Sequence, residues 1–171
     1  MILRRLGETG FGIEATWLQP ILMKAIEKNK LPYDKYGQAV VNFIRSGFDF
    51  ISVDPKLLRW SLGNPTDLSV PKNFQIMTSR LGSARADIRS HLTVALTAIK
   101  EIWNDNSLPR TLRMACVGII LENLCKERPL QHIAIILNEF LGFGRLILRD
   151  TDFLKYLNAW ALGHFITPPA G

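Results

Sequence analysis

Five of the acidic side chains in the first third of the chain, Glu8, Glu14, Asp34, Asp49 and Asp54, come closest to a hydrolytic constellation. Metal-dependent nucleases gather several carboxylates around Mg²⁺ or Mn²⁺, because these hard cations take oxygen ligands and the bound ion activates water. Asp34 and Asp54 stand where helix N-caps are needed, and Asp49 falls on the solvent side of a short strand pattern. Glu8 and Glu14 remain as catalytic candidates. Two glutamates do not make an acidic metal site, so the expectation is no metal and no cofactor.

A second constellation is basic. Arg80, Arg85 and Arg89 lead into a helix, where positions 85 and 89 share a face and Arg80 sits in the preceding turn. Such a face can hold phosphates, which makes these three the nucleic-acid-binding candidates; a solvated face partly neutralised by Asp87 is the competing reading. His91, His132 and His164 stand far apart, and no pair has the spacing of a metal site. Gly7-Glu-Thr-Gly-Phe-Gly12 is glycine-rich but follows no predicted strand and lacks the lysine of a phosphate loop. Of Trp17, Trp60, Trp103 and Trp160, three fall on apolar stripes and read as core rather than as platforms for bases.

The 171 residues suffice for one domain or two small ones. Hydrophobic residues make up 47% and charged residues 21%, which argues against disorder. The net charge of +6 is spread evenly: nine basic and seven acidic residues in 1–71, five and three in 72–108, seven and five in 109–171. No block is basic enough to mark a nucleic-acid groove by itself. Cys116 and Cys125 lie nine apart in one predicted helix, so they point to opposite sides, about 13 Å apart along the axis, and cannot pair there. Reduced thiols, no signal-peptide core and no apolar run of about 18 residues place the chain in the cytoplasm with no membrane.

Helices must position these groups. The spacing predicts one from about Thr16 to Lys30, with Trp17, Ile21, Leu22, Ala25 and Ile26 on its buried face. A second is capped by Asp34, buries Tyr36, Val40, Phe43 and Ile44, and stops at Gly47. Phe48, Phe50, Ile51 and Val53 then alternate as a short strand, and Asp54-Pro55 opens a short helix ending at Gly63. Residues 64–73 read as a linker between an α/β fragment, 1–63, and a helical module, 74–171. That module is expected to hold four helices. The first runs from Ser83 or Ala84 to Asp105, the second from Pro109 to Lys126. The third follows Pro129 with a stripe of Leu130, Ile133, Ala134, Leu137, Phe140 and Leu141. The fourth is capped by Asp150 and carries Phe153, Leu154, Leu157, Trp160, Ala161 and Phe165. The fold class is therefore mainly α: a helix–helix–strand fragment followed by a four-helix bundle or stacked helical hairpins.

Ala25-Ile-Glu-Lys-Asn-Lys-Leu-Pro-Tyr-Asp-Lys-Tyr36 and Val41-Asn-Phe-Ile-Arg-Ser-Gly-Phe-Asp-Phe-Ile-Ser-Val-Asp54 resemble the C-terminal part of PIN-like domains, of the kind attached to large bacterial helical-repeat proteins. The match covers residues 14–58. The resemblance implies descent from a Mg²⁺- or Mn²⁺-dependent ribonuclease with an acidic cluster, whose opening strand and first aspartate have no counterpart in this sequence. Three functions follow. The leading expectation is a non-catalytic helical interaction or scaffold module, the remnant or tail of a larger PIN-like protein, with a protein partner or homo-oligomer. The alternatives are a PIN-like ribonuclease completed by a missing segment or partner, and RNA or DNA binding through Arg80, Arg85 and Arg89.

Overall fold

Capping residues and prolines mark most of the helix starts. The structure, a computed structural model, describes residues 18–48, 51–64, 68–82 and 87–165; these are mainly α-helical, with no strand among them. The chain divides into two compact units, Met1–Ser52 and Val53–Gly171.

The first unit contains α1 (Leu18–Glu27) and α2 (Tyr33–Arg45). Both end in the same device, a left-handed residue that lets two backbone N–H groups reach back to carbonyls of the last turn. In α2 that residue is Gly47, at φ +75°, as the sequence predicts. Gly47 N–H donates to Ile44 at 3.1 Å, Phe48 N–H to Phe43 at 3.0 Å, and the rings of Phe43 and Phe48 lie 5.5 Å apart over the turn. In α1 Asn29 takes the same role at φ +54°. The predicted cap at Asp34 is corrected: α2 starts at Tyr33 after Pro32, and Asp34 stands inside its first turn. An acid there still favours the positive end of the helix dipole.

The buried face of α1 also differs from the expected stripe. Ile21 is exposed and Trp17 lies outside the described residues, whereas Gln19 is buried. Gln19 explains itself through hydrogen bonds. Its Oε1 accepts from Ser52 N–H at 2.9 Å, while its Nε2 donates to Ser52 C=O at 2.6 Å and to the Tyr36 hydroxyl at 3.0 Å. One side-chain amide thus satisfies both backbone groups of Ser52, a job a neighbouring strand would otherwise do. Of the predicted strand, Asp49 and Phe50 lie outside the described residues.

The second unit begins with α3 (Pro55–Leu62), α4 (Lys72–Thr78) and a 3₁₀ turn (Ser79–Gly82). Asp54 caps α3 by accepting from Leu57 N–H at 2.7 Å, with Pro55 in the first position and Gly63 at φ +57° closing the end. There follow α5 (Ile88–Asn104), α6 (Arg110–Cys125), α7 (Leu130–Phe143), a π turn (Gly144–Leu148) and α8 (Thr151–Phe165). The start of α5 is a correction. Asp87 has extended backbone and caps the helix by accepting from Ser90 N–H at 3.0 Å, so the helix begins at Ile88.

The core of this unit is organised on α6, which packs against α4, the 3₁₀ turn, α5 and α7. Leu112, Cys116, Val117, Ile120, Leu121, Leu124 and Cys125 are all buried, a face of about 220° that is wider than the stripe of a surface helix. Both cysteines are free, and burial pushes their thiols up to about 12 and about 11. They are packing groups, not nucleophiles. On α7 the buried stripe is Ile133, Ile136 and Phe140, continuing to Gly144, and this corrects the expected one: Leu130 and Ala134 face solvent. Gly144 is a contact point, since a Cβ there would lie 2.7 Å from Leu154 Cδ2 and 2.8 Å from Phe153 Cδ1.

Candidate functional site

Two features of the second unit compete as sites: a polar pocket and an apolar surface. The pocket, about 130 Å³, is lined by Trp103, Arg110, Arg113, Asp150 and Asp152. Asp150 Oδ1 accepts from the N–H groups of Asp152 and Phe153 at 2.7 and 3.2 Å, capping α8. Its Oδ2 accepts from Trp103 Nε1 at 2.8 Å. The Trp103 hydrogen bond, followed by the two backbone donors, holds the Asp150 carboxyl below the usual carboxylate range. Arg113 Nη1 donates to Trp103 C=O at 2.5 Å, and Arg110 pairs with Asp152 at 2.8 Å near solvent. Each of these charges is tied to a helix end or to its neighbour. The arrangement braces α5, α6 and α8 together.

His91 forms a smaller polar cluster. Its Nδ1 lies 2.9 Å from Leu81 C=O and 3.5 Å from Arg128 Nη2, and Arg128 itself is buried. A ring that donates from Nδ1 to Leu81 meets Arg128 as a neighbouring cation. Burial first, then Arg128, hold the imidazole below its ordinary pKa.

Two of the five sequence candidates lie among the described residues. Glu8, Glu14 and Arg85 lie outside the described residues. Arg80 sits in the 3₁₀ turn and Arg89 in the first turn of α5, with the extended backbone of Asp87 between them. Among the described residues no group of three or more His, Cys, Asp or Glu is placed to hold a metal ion.

The apolar surface lies on α7, the π turn and α8. Leu130 is 77% exposed and Leu146 72%, and Ile135, Ile147, Leu162 and Phe165 are exposed as well. The stretch Leu130–Leu148 has a mean hydropathy of 1.2, yet only 22% of it is buried; by length and composition alone it would also suffice to cross a membrane. Glu139 and Arg145 interrupt the exposed side, and neither makes an ion pair among the described residues. Sequence periodicity missed this surface because two apolar stripes overlap between residues 130 and 148. Spacing alone does not tell which stripe faces the core. The chain has no significant match among protein-family models, curated proteins or solved structures, so its function is argued from this geometry.

Proposed function

We propose that the chain is a helical interaction module that binds a protein through the outward face of α7, the π turn and α8. On the resemblance above, it is the non-catalytic remnant or tail of a larger PIN-like protein. The observation that carries the reading is the exposure of large apolar side chains along a stretch where the core takes only one side. Isolated exposed leucines are ordinary, but a run of them along one element marks a surface built to be covered. The polar pocket supports the same reading from the other direction, because its charges are occupied in joining helices.

A photo-cross-linking side chain at position 146, introduced into the full chain in the cells that make it, tests this. The expected result is a discrete protein adduct that disappears when Ile135→Glu is added and is absent when the cross-linker is placed at the exposed Lys100 of α5. No adduct at 146, or adducts to lipid alone, overturns the reading.

A further inference from the structure

We propose that the partner grips the corner between α7 and α8 with an acidic, apolar protein segment, its carboxylates pairing with Arg145 and Arg149 and its apolar side chains covering Leu146 and Ile147. The inference rests on the outward face of α7 being an interaction surface. The corner consists of the π turn Gly144–Leu148 and Arg149, which follows it. Leu146 and Ile147 are exposed here, and so are both arginines. The corner is held from both sides. Gly144 is buried against Leu154 and Phe153 of α8, and Asp150 caps α8 one residue after Arg149. Arg149 itself stands at φ +51°, a left-handed conformation that arginine rarely adopts. π turns recur at functional sites, and this one presents its apolar side chains to solvent on a fixed backbone.

Charge names the partner's chemistry. Neither Arg145 nor Arg149 makes an ion pair among the described residues. The two acids that follow them in sequence are already engaged. Asp150 accepts from Trp103 and from the first N–H groups of α8, and Asp152 pairs with Arg110. An exposed apolar pair with an exposed guanidinium before and after it is complementary to an apolar group bordered by carboxylates. Guanidinium groups suit that role, because they meet a carboxylate with two parallel N–H donors. A lipid surface fits less well. Segments that bind anionic headgroups gather about four to eight Lys or Arg. Residues 130–149 hold two, Arg145 and Arg149, with the exposed Glu139 on the same stretch.

The photo-cross-linking side chain at position 146 of the full chain reads this directly. Arg145→Glu combined with Arg149→Glu should lower the yield of the protein adduct about fivefold or more, with circular dichroism unchanged. Arg145→Lys combined with Arg149→Lys should keep most of the adduct, and Lys100→Glu on α5 should leave it unaltered. The partner peptide joined at position 146, identified by mass spectrometry, should carry Asp or Glu beside apolar residues. Arg149→Gly removes one cation where glycine suits the left-handed backbone, so it should reduce the adduct while the thermal midpoint does not fall. An adduct undiminished by the paired Glu substitutions, or a joined peptide without acids, overturns the acidic partner and leaves the interaction module standing. Adducts to lipid alone, or none in the chain with native arginines, reject the module as well.

Discussion

Asp150 closes α8 at its first turn and, through Trp103, ties that turn to the end of α5. An N-cap contributes about 1 kcal/mol, and the buried Trp103 N–H loses its acceptor if the carboxylate goes. Asp150→Ala should therefore lower stability by about 2 kcal/mol, and thermal unfolding should show it as a fall of several degrees. Asp152→Ala, which removes a solvent-screened pair with Arg110, should cost less than about 0.5 kcal/mol. The Asp150 carboxyl is held below its ordinary range in the folded chain, so its contribution is present at neutral pH and lost as pH falls through the acid range. The cap itself is legible from an aspartate ahead of an apolar stripe. Its partner is not, because Trp103 lies 47 residues away and no local pattern links the two. The same limit hid Gln19, whose polarity predicts solvent while its partner Ser52 is 33 residues distant.

Among the elements, α6 and α8 meet through a residue that has no side chain. A Cβ on Gly118 would lie 2.7 Å from the Tyr156 hydroxyl, which donates to Met114 C=O at 2.6 Å. Gly118→Ala must push that hydroxyl off its acceptor, at a cost of about 1–3 kcal/mol by denaturant unfolding. In a Tyr156→Phe background the added methyl has nothing to displace, so the same substitution should cost distinctly less; additive losses would reject the contact as the cause. Long helices with one apolar stripe were readable from spacing, as α5 and α8 show. The short α4 and the buried side of α7 were not. Lys72–Thr78 has only Phe74 and Met77 as buried large apolar groups, too few to display a period. In α7 leucine and isoleucine occupy both sides, so tertiary packing alone selects Ile133, Ile136 and Phe140 for the core.

For the molecule as a whole, stability should depend on pH in a window set by His91. Its folded pKa lies below the ordinary 6.5, from burial first and Arg128 next, opposed by the Leu81 carbonyl and Asp87. The unfolded chain therefore takes up the proton more readily. The stability is complete above about pH 6.5 and declines as pH falls from there through the folded value. Denaturant midpoints measured between pH 8 and pH 5 should fall across that interval, and His91→Gln should flatten the step; an unchanged step would assign it to other groups. The mainly helical class was visible in the spacing of apolar residues, whereas the exposed surface of α7 needed the packed structure to reveal it. The bond between Gln19 and Ser52 also acts at this scale. An extended stretch with open N–H and C=O groups is a template on which other chains can stack into cross-β aggregates. By occupying both groups of Ser52 with its own glutamine, the chain withdraws that residue from such stacking, so Gln19→Ala should raise the tendency to aggregate, read by light scattering.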